Sequence, residues 1–498
     1  MIPALTLSNS TLESVAEGVS RPRYDRSRLS AGIVHFGVGG FHRAHQAVAI
    51  NELMNAGLAY DWAICGIGLL EGDRRMKTVL DAQDCLYTLT LKHPDGRREP
   101  AIIGSIIEYL FAPDDPEAVL EKMASPAIRI VSLTITEGGY NFDRVTGTFD
   151  QTNPHVVADL VDGAVPTTVF GYVIEALRRR RERGIEPFTV QSCDNIQGNG
   201  DMAKKMFSAF AHEKDPDFGL WLASNVTFPN AMVDRITPVT SEDDISEAAS
   251  LTGVQDGWPV VSEPFFQWVL EDDFGLGRPP LEQVGVQMVD DVTPYEYMKL
   301  RLLNASHQAM CYFGYLAGHR YAHEAMEDVA LRSFVERYMD EEGTPTLKPV
   351  PGIDLGVYRS TLIERFSNPE VRDTLARLCA ESSDRIPKWL LPVVRDQLAT
   401  GGSIDCSAAI VASWARYAEG VDESGEPITI VDPLGAELAS IAQTQRTDRL
   451  AFVRNTSLFG DLADDDRFAA SYLRALDSLI THGARATVQS FVSDRSTP

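Results

Sequence analysis

No stretch of this sequence stays apolar for the roughly 20 residues a membrane-spanning helix needs. Its opening, MIPALTLSNS, has no basic segment followed by an apolar core, so a secretory leader is not expected. Cysteine is scarce. Six are spread over 498 residues, at 65, 85, 193, 311, 379 and 406, and no two stand as C-x-x-C. A disulfide scaffold and a zinc ribbon are therefore excluded, and isolated thiols in a reducing, cytoplasmic compartment are expected. Positive charge is also short: 45 Lys and Arg against 71 Asp and Glu leave a net charge of −26. Such a surface repels phosphate backbones and anionic lipid, so neither nucleic acid nor membrane is an expected partner. No H-E-x-x-H pair and no cysteine–histidine cluster occurs, so no metal site is expected. Internal repeats and low-complexity segments are lacking as well.

What the chain does contain is length and a change of pattern. At 498 residues it is too long for one hydrophobic core. The first half alternates short β-rich runs (GIVHFGVG, DWAICGIG, AIRIVSLTIT, PFTVQSCDN) with helical stretches such as TTVFGYVIEALRRRRERG. That order predicts a parallel sheet with helices on its faces. CLYTLTLKHPDGRREPAII predicts a hairpin turning at Asp95 and Gly96. From about Thr293 nearly every segment has helical period, so the expected boundary lies near 290. Residues 1–290 would form the α/β domain and 291–498 a mainly α-helical C-terminal domain. The run RRRR at 178–181 reads as the solvated end of a helix, where cations suit the dipole.

One turn points to a ligand. In IVHFGVGGFHRAHQA a strand runs into Gly37, Gly39 and Gly40 and then into a helical pattern. Gly37 would make the tight turn. Gly39 would let the backbone approach a pyrophosphate seated at the helix start, as in a Rossmann-like dinucleotide-binding domain. The third glycine of G-x-G-x-x-G should fall at position 42, but His42 stands there, and a plain strand-to-helix turn remains the alternative. The acid that would meet the ribose should follow the second strand. Asp73 is the candidate, with Glu71 behind it, and Arg74 and Arg75 are placed to meet a 2′-phosphate. NAD is the expected cofactor, with NADP not excluded.

A second stretch, TPYEYMKLRLLNASH, sets polar residues in an apolar helical pattern. At about 100° per residue Lys299, His307 and Asn304 fall near 0°, 80° and 140°, and Lys299 and His307 lie roughly 12 Å apart along the axis. A hydrogen-bonded core helix is the alternative reading. Thr293, Pro294, Tyr295 and Glu296 have the form of a capping box with proline at the first helical position.

Together, GVGGFHRAHQA, SLTITEGGY, SCDNIQGNG, FPNAMVDRITP, EPFFQWVLED and YEYMKLRLLNASH resemble the polyol-specific long-chain dehydrogenases. The resemblance runs from about Ile33 to the helices near Trp414. FPNAMVDRITP and VPGIDL lean towards its mannitol branch rather than its fructuronate reductase branch. The resemblance implies that a loop without the third glycine is the family's own variant. It assigns the cofactor to Gly37, Gly39, Gly40, Phe41, His42, Arg43, Asp73, Thr136 and Glu137.

It further implies Lys299 as general base, acting without a metal, and Asn195 and Asn304 as donors to the developing alkoxide. His307 would orient the substrate, and Asp234 and Arg377 would bind its hydroxyls. Glu296 is accounted for by its capping role, and its place one turn before Lys299 makes it also a candidate proton relay. Taken alone, Asp234 and Arg377 read more readily as surface ion-pair residues. The implied reaction interconverts an acyclic polyol and its ketose, D-mannitol and D-fructose first. D-arabinitol, sorbitol or fructuronate/mannonate are the alternatives within the family. Fructuronate would call for extra cations near Arg377, Arg385 and Lys388. A non-catalytic NAD-sensing protein is the alternative of another class. The expected assembly is a monomer or small homo-oligomer.

Overall fold

The computed structural model describes residues 5–142 and 147–493. The chain divides into two compact units, Met1–Thr293 and Pro294–Pro498.

The first unit is built on five parallel strands: β1 (Ala31–Phe36), β2 (Ala63–Gly68), β3 (Ile106–Phe111), β4 (Ile130–Leu133) and β5 (Thr189–Ser192). Their order across the sheet is β3-β2-β1-β4-β5. β-Branched and apolar residues form these strands because both faces are covered. Val34 and Phe36 point into one core with Val131, Leu133 and Val190. Ile33 points into the other with Ile64 and Ile130. The order reverses between β1 and β4, and ligands of open α/β sheets settle at the carboxyl ends of strands at such a switch. Helices α1 (Gly40–Ala44), α2 (Gln46–Asn55), α3 (Arg74–Ala82), α4 (Pro116–Ala124), α5 (Val169–Glu182) and α6 (Asn199–Lys214) belong to this unit.

The hairpin forms as expected, Tyr87–Lys92 against Arg98–Ile103, but over a five-residue connection in which Gly96 is left-handed at φ 84°. Val260–Ser262 joins it in parallel. A further mixed sheet unites Ala231–Asp234, Gln267–Glu271 and Gln287–Val289.

The second unit is helical, and among its described residues extended pairing is limited to two isolated bridges. At its centre lie α8 (Ala305–Leu316) and α9 (Asp405–Tyr417), buried on almost every side as core helices are. The helix α7 (Thr293–Met298) precedes α8. No helix of the described residues is long and apolar enough to cross a membrane.

Three local expectations need correction. The helix expected after the glycines breaks at His45 (φ −124°, ψ −87°) into α1 and α2. The helix carrying Lys299 is not one α-helix: Lys299–Asn304 is a π-turn between α7 and α8. The run RRRR is solvated only in part. Arg178 and Arg179 pair with carboxylates, but Arg180 is fully buried. Its guanidinium donates to the carbonyls of Met123, Ser125, Ile128 and Glu186. Burial draws its pKa down to about 10. The C-terminal carbonyls of α4 need donors, and Arg180 supplies them, which a helical pattern read by itself does not reveal.

Candidate active site

The glycine turn can be argued atom by atom. Gly37 sits at φ 89°, and a Cβ there would lie 2.0 Å from the Thr134 carbonyl oxygen, so only glycine fits. Gly39 is the opposite case. A Cβ on it would meet nothing nearer than Gly37 O at 3.8 Å, so its surface opens outward. Gly40 opens α1, with Thr237 Cγ2 at 3.4 Å from an added Cβ. Phe41 is half-buried, its ring 4.9 Å from that of His45.

His42 fills the place of the missing glycine by stacking on His35 of β1, ring centroids 3.4 Å apart. His35 Nδ1 lies 2.7 Å from Ser132 Oγ and Nε2 lies 2.9 Å from Thr134 Oγ1. Burial pushes the His35 pKa down to about 3 and that of His42 well below the ordinary histidine range, so two neutral rings pack face to face. Helix and strand are thus spaced by imidazole rather than pressed together by glycine. Arg43 is also buried. Its guanidinium donates to Trp258 O and lies over the rings of Tyr87 and Trp258, so it points into the unit.

After β2 the chain turns on Asp73, whose Oδ2 accepts from the backbone N–H of Leu69 and Leu70 at 2.9 Å each. Gly68 makes room for this fold-back, since a Cβ there would lie 2.8 Å from Asp73 Cβ. Arg74 is held between Glu71 and Asp114, and Arg75 lies over Trp258, 4.4 Å from the ring centre. Both arginines already have partners.

The loops after β4 and β5 carry Thr136, Glu137 and Asn195. Motif reading missed the residue that ties them together, Asp194. It is 6% exposed, and its carboxylate accepts from Ile135 N at 3.1 Å, Thr136 N at 2.7 Å and Tyr140 Oη at 2.7 Å. Burial lifts its pKa to about 6 despite these donors. The clamp holds Thr136 at φ 60°, a conformation that non-glycine residues seldom adopt. Thr134 Oγ1 donates to Gly37 O at 2.7 Å, so the loops after β1, β4 and β5 form one hydrogen-bonded series. The signal was in the sequence, as polar residues directly after apolar strands in TITEGGY and SCDN. Asn195 is exposed, three residues past β5. Asp234 is buried and ends the strand Ala231–Asp234. The buried Asn199 links the two segments by donating to Asp194 O and Ala231 O.

In the second unit Glu296, Lys299, Asn304 and His307 are all buried, at 6%, 8%, 4% and 8% exposure. The π-turn alters their mutual directions. With roughly 80° per residue through the turn and about 100° beyond it, the three side chains from Lys299 to His307 share a sector of about 60°. A continuous α-helix would spread them over about 140°. The His307 ring lies 4.8 Å from that of Phe366. At the head of α7, Asp291 Oδ1 accepts from Thr293 N at 2.9 Å.

Arg377 is half-exposed and forms a two-pronged pair with Asp373, at 2.7 and 2.6 Å. Arg385 donates to the carbonyls of Arg377 and Leu378, and Lys388 pairs with Asp384. Each of the three cations thus has a partner within this unit. Among the described residues, no group of three or more His, Cys, Asp or Glu side chains is placed to hold a metal ion. All six cysteines are buried free thiols.

Comparison with known proteins covers both units. Residues 31–283 match the mannitol dehydrogenase Rossmann domain and residues 291–480 the mannitol dehydrogenase C-terminal domain. A mannitol 2-dehydrogenase of Pyricularia oryzae is 46% identical, over 95% of this chain and 95% of its own length. One of Phaeosphaeria nodorum is 44% identical over 98% of this chain and 86% of its own. The Pseudomonas fluorescens mannitol 2-dehydrogenase, solved as a ternary complex with NAD and D-mannitol, superimposes with a TM-score of 0.88. It is 43% identical and covers 98% of this chain and 100% of its own. A D-sorbitol dehydrogenase solved in substrate-free form gives a TM-score of 0.90 at 40% identity, covering 97% of this chain and 100% of its own.

Proposed function

This chain belongs to the mannitol dehydrogenase family, and from that premise we propose that it is an NAD-dependent polyol dehydrogenase interconverting D-mannitol and D-fructose. The observation that carries the reading is a buried lysine, a buried asparagine and a buried histidine on a π-turn and the helix that continues it, an arrangement that ideal turn geometry narrows to one sector.

Oxidation of a secondary alcohol removes a hydride from carbon and a proton from oxygen. NAD, when bound, takes the hydride. The chain's own residues handle the proton and the oxygen. Lys299 Nζ accepts the hydroxyl proton in oxidation and returns it in reduction. A lysine base must shed its own proton before it can accept one. Asn304 donates to the oxygen as negative charge develops on it. Asn195 has the same proposed task, on the strength of its motif. His307 orients the substrate, and Asp234 and Arg377 bind its outer hydroxyls. Glu296, buried one helical turn before Lys299, is proposed to pass protons onward.

The cofactor assignment fits the first unit. Gly39 is open where a pyrophosphate would approach, and Gly40 and Phe41 continue that loop. Thr136 and Glu137 line the neighbouring loop, and Asp73 stands after β2 to accept from the ribose. His42 and Arg43 shape the loop from beneath. Proton transfer by the lysine without a metal is part of the proposal. A cytoplasmic location and a monomeric or small oligomeric state remain part of the proposal.

A second reading, D-sorbitol as the polyol, is favoured by the likeness to the D-sorbitol dehydrogenase. Steady-state oxidation of D-mannitol, sorbitol and D-arabinitol, with reduction of fructose and fructuronate, decides between them. The proposal expects the highest kcat/KM for D-mannitol and fructose. Higher values for sorbitol or fructuronate would overturn the substrate assignment. The chemical step is tested by Lys299→Ala. The parent's oxidation rate should rise with pH to a plateau, and the variant should lose about 10²–10⁴-fold in kcat while still binding NAD. An unchanged profile in the variant would remove the lysine from the role.

A further inference from the structure

The π-turn at Lys299 is not the only one in the second unit. Residues Tyr338–Gly343 form another, and the two pack against each other. In an α-helix the N–H of residue 305 would bond the carbonyl of residue 301. Here Ala305 N–H donates to Leu300 O instead, an i→i+5 bond. The carbonyl of Arg301 loses its α-helical donor by that shift. Tyr338 Oη takes its place, donating to Arg301 O at 3.0 Å.

The packing is close. An added Cβ on Gly343 would lie 3.0 Å from Leu302 Cδ2 and 3.3 Å from Arg301 O. The second turn is itself anchored. Glu342, fully buried, accepts from Cys406 N at 2.7 Å, Ser407 N at 2.8 Å and Ser403 Oγ at 3.1 Å, at the N-terminus of α9. Tyr338 is fully buried too, and burial holds its phenol protonated, so it serves as a donor.

We propose that Tyr338 is a positioning residue for the proton-transfer set: by supplying a donor to Arg301 O it stabilises the π-register that brings Lys299, Asn304 and His307 onto one face. Arg301 O is part-buried, and a carbonyl shielded from water and left without a partner costs free energy. Without the tyrosine hydroxyl, the α-register, in which Ala305 N–H returns to Arg301 O, is the way to satisfy it. That return rotates Lys299 away from Asn304 and His307. The inference rests on the reading of Lys299 as the base.

Tyr338→Phe tests it, since the ring keeps its packing and only the hydroxyl is lost. The expected result is a fall in polyol-oxidation kcat of tenfold or more, with NAD dissociation constant within twofold of the parent and folded content unchanged by circular dichroism. The pH–rate profile should move by at least half a pH unit, because the lysine's surroundings change. A crystal structure of the variant should show Ala305 N–H bonded to Arg301 O. Gly343→Ala, which presses on the same carbonyl from the packed side, should act in the same direction. A Tyr338→Phe enzyme with parental kcat and pH profile would overturn the proposal, as would an intact i→i+5 bond in its crystal structure. Lys299→Ala measured alongside separates the two ideas. Parental turnover in Lys299→Ala would remove the base, whereas a crippled Lys299→Ala beside a normal Tyr338→Phe would remove only the positioning role.

Discussion

Replacing Asp194 by asparagine should make this protein lose less stability between pH 4 and pH 8 and hold its cofactor less well. The carboxyl group is buried, and its pKa is lifted from the usual 3.8 to about 6, chiefly by burial and only partly offset by its donors Tyr140, Ile135 and Thr136. A raised folded-state pKa means that the native chain holds the proton more tightly than the unfolded chain. Stability from this group is therefore greatest below about pH 4, declines as pH rises towards 6, and stays lower above it. The loss amounts to about 3 kcal/mol by linkage.

Asparagine is isosteric and uncharged, and it lacks this penalty. At pH 4, where the parent carboxyl is protonated, the variant should unfold somewhat below the parent, because an amide NH2 replaces one of the two accepting oxygens. Between pH 4 and pH 8 the variant should gain about 5 °C on the parent. Function should move the other way. An amide oxygen replaces only part of a carboxylate that accepts three hydrogen bonds, so Thr136 is less firmly held at φ 60°. The KM for NAD should then rise several-fold. The contrasting Asp194→Ala leaves the N–H groups of Ile135 and Thr136 without their acceptor and should destabilise at every pH, by about 1–3 kcal/mol for each group. Differential scanning of the three proteins from pH 4 to 8, with NAD titrations at pH 8, measures all of this. Parallel Tm curves for parent and Asp194→Asn would refute the reasoning, because the carboxyl would then titrate alike in the folded and unfolded chains.

Two further predictions concern the cofactor and the metal. Asp73→Asn keeps an oxygen for the turn at Leu69 and Leu70 but removes the charge that would repel a 2′-phosphate, so the NADP-to-NAD ratio of kcat/KM should rise at least tenfold. An unchanged ratio would shift the assignment to Glu71. Prolonged treatment with a strong chelator should leave turnover intact. Activity lost with the chelator and restored by zinc would place the proton chemistry on a metal instead of Lys299.

Read as a sequence, the chain already determined its two-part architecture, because strand and helix periods are written in neighbouring residues and need no distant partner. Short β-rich runs separated by helical stretches specify a parallel sheet, and Gly37 marks its turn because no side chain fits there. Six motifs spread along the chain identified the family and put Lys299, Asn195, Asn304 and His307 forward.

Tertiary structure decided how those residues are held. His42 stands in for a glycine because it stacks on His35, while Ser132 and Thr134, nearly a hundred residues further along, hold that second ring. Asp194 becomes a clamp only when β4 and β5 lie side by side and bring it under Thr136, 58 residues away. Arg180 leaves the solvated run to which its neighbours belong because the carbonyls ending α4 fold against it. The π-register at Lys299 has no signature in local periodicity, since the donor that completes it, Tyr338, comes from a second turn 37 residues away. Backbone propensity is a property of a few adjacent residues. The partner of a buried polar group is chosen by whatever the fold brings within 3 Å of it.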